Sequence, residues 1–252
     1  MAERRARTVV GGHSRGKKRA ERLRGVGELA DGTAPLLEYY HALLDAHGAQ
    51  KWWPGRTRFE VIVGAILIQN TNWRNAERAL KALRRESLLN PAAMEKVEVR
   101  RLAALIRSSG YFLAKARKLK EFLKYLRREH GGSLARMFGT PTVMLREQLL
   151  AVHGIGPETA DSILLYAGNR AVFVVDAYAR RILARHRLAT GSEGYEHLRT
   201  FFEANLPLNA SLFNEYHALI VHTGKNYCRA KVALCEECVL RPFLPGGTPA
   251  GL

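Results

Sequence analysis

Most of the chain repeats its apolar positions with helical period. Ala34 to Ala46 (APLLEYYHALLDA) spaces them three and four apart. NAERALKAL, VEVRRLAALI, AKARKLKEFLKYL, TVMLREQLLAV and ETADSILLYA each carry one apolar face. AYARRILARH, YEHLRTFFEAN and SLFNEYHALIVHTGK continue the pattern toward the C-terminal end. FEVIVGAILI, from Phe59, is apolar almost throughout and by composition suits a buried strand. No alternating partner strand accompanies it, so a buried helix is expected. Residues 171–176 (AVFVVD) read as a short apolar link into the next helix. Thr140 and Pro141 are expected as an N-cap and first helical residue. No repeat of fixed period occurs, and the expected fold class is all-α.

Charge adds the first functional constraint. The 252 residues are 47% hydrophobic, enough for one large domain or two small ones with cores of their own. Lys and Arg number 40 against 23 Asp and Glu, a formal net charge of +17. Such an excess attracts polyanions, nucleic acid first among them. Residues 1–25 hold nine Lys or Arg against two Glu and are expected as a mobile basic arm, with order beginning near Val26. No run of about 18 apolar residues is present to span a membrane. No apolar stretch follows the basic N-terminus as in a secretory signal, so a cytoplasmic location is expected. Cys228, Cys235 and Cys238 lie within eleven residues of one another. A clustered, odd set points to metal in a reducing compartment rather than to disulfides.

The most informative segment is LLAVHGIGPETADSILLYAGNRAVFVVD, Leu149 to Asp176. Two helices are joined by the hairpin His153-Gly154-Ile155-Gly156, whose glycines permit positive φ and close approach of another backbone. Pro157 opens the second helix where its missing N–H costs nothing, and the free amides there suit a phosphate. Ile155 is expected to point inward. Asp176 stands twenty residues after Gly156, after the apolar link and before a helix. As an isolated residue it reads equally as an N-cap.

Hairpin and aspartate together resemble the helix-hairpin-helix DNA glycosylases of the endonuclease III superfamily. The resemblance covers residues 30 to 240 and implies an all-α fold of two domains flanking a DNA cleft. One is a six-helix barrel, residues 58–170, carrying the hairpin. The other is built from both chain ends, residues 26–57 and 171–252. It further implies that Asp176 stabilises positive charge developing on the sugar and orients or deprotonates the attacking water. His153, Gly154, Ile155, Gly156 and Thr159 would then hold duplex DNA. Gln69, in the QNTNW turn, would fill the gap left by a flipped base, a hole that costs on the order of a few kcal/mol. Tyr111, in RSSGYFLAKA, falls where the family places a leucine wedge, with Lys115 beside it on the DNA side. Glu158 stands where bifunctional members carry the Schiff-base lysine, and a carboxylate cannot form that imine. The resemblance therefore implies a monomeric, monofunctional enzyme that binds double-stranded DNA and excises a damaged base with water.

Two further features refine it. All three tryptophans, Trp52, Trp53 and Trp73, fall in two loops, and the WWP loop, apolar helix and QNT turn are similar to the 3-methyladenine glycosylase branch. There the aromatics sandwich the base, and Lys225 in HTGK matches a pocket lysine. An alkylated purine is electron-poor and stacks well between π-faces. Packing between domains is the alternative for the tryptophans. The cysteines repeat three of the four ligands of the family's iron–sulfur loop, while the fourth place falls on Leu244. The alternatives are a [4Fe–4S] cluster with an unusual fourth ligand, a three-iron cluster, an empty remnant, or zinc held with His222. Against the alkylated-base reading stand an endonuclease III-type enzyme for oxidised pyrimidines and a non-catalytic DNA-binding protein.

Overall fold

The computed structural model describes residues 35–53 and 55–250. The expected basic arm, residues 26–34 and Pro54 lie outside the described residues. The helices are α1 (Leu36–His47), α2 (Arg58–Leu67), α3 (Trp73–Arg85), α4 (Pro91–Lys96), α5 (Val99–Leu105) and α6 (Phe112–His130). There follow α7 (Leu134–Gly139), α8 (Thr142–Leu150), α9 (Pro157–Ser162), α10 (Ala177–Arg185), α11 (Tyr195–Ala204) and α12 (Ala210–Asn226). No strand occurs among the described residues, so the class is all-α, and FEVIVGAILI is helical.

Short polar side chains start many of these helices. Thr57, Asn72, Asn90, Ser133, Asp176 and Asn209 each accept a backbone N–H two or three residues on, satisfying donors the first turn leaves orphaned. The Thr140–Pro141 expectation shifts by one residue. Pro141 is itself the N-cap of α8 and makes no capping bond, while Thr140 closes α7. Thr140 is still needed to end one helix, so it cannot begin the next.

The buried apolar side chains separate into two clusters. One runs from Phe59 to Val172 and is centred on α2, which is buried along most of its length. The other joins Leu36, Tyr39 and Leu43 of α1 to residues from Leu165 to Leu240. The chain crosses between them just after α9, where the helix widens into a π turn over Ile163–Ala167. Leu164 enters the first cluster, Leu165 enters the second, and Tyr166 borders both. Such a bulge adds a residue to one turn and re-aims the side chains around it.

The link 171–176 is buried but pairs with no strand, so its amides need other partners. Phe173 N–H donates to the Glu203 carboxylate at 2.9 Å, and Val175 N–H to the Tyr195 hydroxyl at 3.4 Å. Phe173 stacks on Phe202 with centroids 3.9 Å apart. Burying one such ring contributes roughly 1.5–3 kcal/mol. This well-held link delivers Asp176 to the start of α10.

Candidate active site

Asp176 caps α10 with one oxygen. Its Oδ1 accepts from Tyr178 N–H at 2.9 Å and Ala179 N–H at 2.8 Å. Oδ2 is turned away from the cap and lies 3.6 Å from Nε2 of His217, a buried residue of α12. The Tyr166 hydroxyl meets the other ring nitrogen, Nδ1. Burial pushes the His217 imidazole down, opposed by the Asp176 charge and reinforced by Lys225. Capping and a free carboxylate oxygen thus coexist in one residue.

Glu158, in the first turn after the hairpin, is near enough to Asp176 to feel its charge. Gly154 has φ +88°, a conformation open to glycine, whereas Gly156 is extended and caps α9. Ile155 is buried in the first cluster, and His153 is exposed. The hairpin, Gln69, Lys118, Glu158 and Tyr195 line one open groove. Gln69 donates to Gly154 O at 3.1 Å and to Thr159 Oγ1 at 2.8 Å, while Lys118 donates to its amide oxygen. Thr159 is therefore a buried support for Gln69 and not a surface contact. Glu158 opens onto the groove. Desolvation, then the Asp176 charge, push its carboxyl up to about 7, against the pull of Arg180.

A second expected DNA contact, Lys115, is corrected as well. Lys115 is buried, and its ammonium donates to Leu67 O at 2.9 Å and Ser109 O at 2.6 Å. Burial, then Lys118, pull it down to about 8. A side chain spent on two interior carbonyls cannot reach a phosphate. Tyr111, by contrast, is 73% exposed at the tip of its loop with φ 45°, and Phe112 and Leu113 beside it are exposed too.

Trp52, Trp53 and Trp73 form one aromatic group, with pairwise centroid distances of 5.4, 5.5 and 5.1 Å. Trp53 also meets Tyr166 at 4.9 Å. Gly64 of α2 makes room for the Trp53 indole, because a Cβ there would stand 3.1 Å from it. The exposed Lys225 places its ammonium 5.8 Å from the Trp52 ring centre. The tryptophans thus touch both the first cluster and, through Tyr166, the neighbourhood of Asp176.

Cys228, Cys235 and Cys238 line one small pocket with Arg185 and Leu244. Among the described residues no three or more His, Cys, Asp or Glu are placed to hold a metal ion. Arg185 donates to Cys228 Sγ at 3.2 Å and to the carbonyls of Arg229 and Ala230. Leu244, at the fourth ligand's place, is packed and only 6% exposed. His222 lies against His47 in a tilted ring contact and bonds Asn226. Three thiolates and an apolar Leu244 fall one protein ligand short of the four a four-iron cluster takes, and Arg185 ties the loop to α10.

His217, Tyr166 and Tyr195 escaped the sequence reading. One signal was available for His217. It falls four residues after Phe213 and three before Ile220, on the buried face of α12, where a polar side chain needs a partner.

Comparison with known sequences gives both the class and the family. The profile of the HhH-GPD superfamily of base excision DNA repair proteins matches residues 63–207. A putative DNA repair glycosylase of Methanocaldococcus jannaschii is 44% identical over 82% of this chain and 94% of its own length. The endonuclease III of Sulfolobus acidocaldarius is 28% identical over 75% of this chain and 83% of its own. Among solved structures, an H. pylori 3-methyladenine DNA glycosylase bound to 1,N6-ethenoadenine superposes with TM-score 0.68 at 29% identity, covering 75% of this chain and 97% of that one. A non-covalent endonuclease III–DNA complex gives TM-score 0.71 at 20% identity, over 84% and 94%, and speaks for the fold alone. The chain belongs to the HhH-GPD superfamily and is a base excision repair DNA glycosylase.

Proposed function

We propose that this glycosylase is monofunctional and hydrolytic, and that it removes alkylated purines from duplex DNA. The observation that carries the reading is the tryptophan group, joined through Tyr166 to the surroundings of Asp176. An electron-poor purine displaced into this region gains stacking, and Asp176 Oδ2 stabilises the sugar's developing charge and directs a water. Lys225 edges the same aromatic surface. The H. pylori relative with bound ethenoadenine supports a purine substrate.

Glu158 supports the hydrolytic half. Its carboxyl occupies the position of the family's Schiff-base amine, so borohydride traps no covalent complex with an abasic duplex. On the DNA side, Tyr111 enters the stack, Gln69 leaves its hairpin partners to fill the vacated space, and the 153–156 turn holds the phosphate backbone. Release of free base from duplexes carrying 3-methyladenine, 7-methylguanine, thymine glycol or uracil tests the assignment. Excision of the two methylated purines and not the others supports it. The endonuclease III relatives favour a second reading, oxidised pyrimidines, and release of thymine glycol alone selects it.

A further inference from the structure

We propose that Tyr166 and His217 form a relay that orients Asp176, Tyr166 fixing the tautomer of His217 and His217 donating to Asp176 Oδ2. The inference rests on Asp176 being the reacting carboxylate. Both residues act through Asp176 and are positioning residues.

Three observations carry it. First, Oδ1 of Asp176 is already committed to two helix amides. Rotation about the last side-chain bond would break the cap, so only Oδ2 is free and its setting decides the geometry. Second, His217 Nε2 lies 3.6 Å from Oδ2, and among the described residues this buried nitrogen has no hydrogen-bond partner. A buried polar atom left unpaired calls for a specific explanation. Third, Tyr166 lies against Nδ1. A phenol O–H donating there makes Nδ1 the acceptor, so the neutral ring carries its proton on Nε2, facing the carboxylate.

The separation of 3.6 Å is slightly too long for a good N–H···O bond. Bonds of this kind often tighten only when substrate is bound. Tyr166 also touches Trp53, which touches Trp52 and Trp73. A base seated on the tryptophans presses on the residue that sets His217. The relay thus couples occupation of the aromatic site to alignment of the carboxylate. The π turn is what allows it, because it aims Tyr166 across the boundary between the two clusters.

The test has two arms. In the first, nitrogen-detected NMR of the wild-type protein at neutral pH reads the His217 tautomer. The Nε2–H form is expected, and Tyr166→Phe should mix in the other tautomer. An Nδ1–H ring or an imidazolium in the wild type overturns the relay whether or not the enzyme acts on alkylated bases. In the second, single-turnover release of 3-methyladenine from methylated duplex DNA is followed. His217→Phe should slow it about a hundredfold and Tyr166→Phe about tenfold, with His217→Gln, which keeps a donor, losing less than His217→Phe. In an Asp176→Asn background these changes should add almost nothing. Full additivity there, or equal losses from Gln and Phe, overturns the relay. Release unaffected by Asp176→Asn alone would instead remove the reading beneath it.

Discussion

Arg146 of α8 grips both carboxylate oxygens of Asp161 in α9, at 2.7 and 3.0 Å, with Asp161 fully buried. The pair spans the two helices of the hairpin. Burial alone raises the Asp161 carboxyl, and the guanidinium opposes that rise. Arg146→Met takes the ion-pair partner from a buried carboxylate, leaving it the Tyr195 hydroxyl and the charge of Arg199, and should cost about 3 kcal/mol of stability. Arg146→Met with Asp161→Leu should recover much of it. Urea denaturation decides the matter, and a single-variant loss below about 1 kcal/mol would show that the pair is not holding the hairpin.

Asp176→Asn should leave the fold intact, since an asparagine oxygen caps a helix as well as an aspartate. Base excision should fall by at least about a hundredfold, because the charge assigned above to stabilising the sugar is gone. Parallel thermal melts and single-turnover assays check both halves. Activity within a few-fold of wild type ends the assignment.

Glu158 predicts a pH signature. Its folded value of about 7 lies above the ordinary 4.5, so between these values the folded state binds more protons than the unfolded one. Wild-type stability therefore declines with rising pH across this window. Glu158→Gln carries no such burden. The variant should match wild type near pH 4.5 and exceed it at pH 8, as read from urea midpoints. An equal gap at both ends would mean that Glu158 does not titrate there.

Trp73→Ala should slow release of an alkylated purine roughly ten- to a hundredfold, given stacking of about 1–3 kcal/mol per base. Binding to undamaged duplex, which rests on phosphates, should barely change. Trp73 also packs on both other tryptophans, so a melt must accompany the assay. Equal losses on every lesion together with a large fall in stability would make the group structural.

Helices and the hairpin were legible because their signals are local. Apolar spacing, caps, a glycine at φ +88° and a proline at a helix start need no knowledge of distant neighbours. The place of Asp176 as the cap of α10 was legible because the apolar link before it and the helix after it are both written along the chain. Lys115 was misread for the opposite reason. A lysine on an amphipathic helix looks solvated, and the carbonyls of Leu67 and Ser109 that bury it come from other elements. His217 and Tyr166 were hidden likewise, since their partnership spans fifty-one residues and depends on a π turn that composition does not announce. The hold of Arg185 on the cysteine loop, through Cys228 Sγ and the carbonyls of Arg229 and Ala230, was hidden for the same reason, since no cysteine spacing encodes it.

The buried ammonium of Lys115 has one last consequence. It bonds at once the carbonyl that ends α2, just before Gln69, and the carbonyl of Ser109, just before Tyr111. The two loops are therefore rivetted at their roots, and the gap between Gln69 and Tyr111 is a fixed gauge. If the proposed DNA face is right, a duplex meets two loops whose spacing is set from inside the protein, whatever their tip side chains then do. Lengthening either loop would change the gauge without loosening the rivet, so shape errors here should show up as lost fit to DNA well before they show up as lost fold.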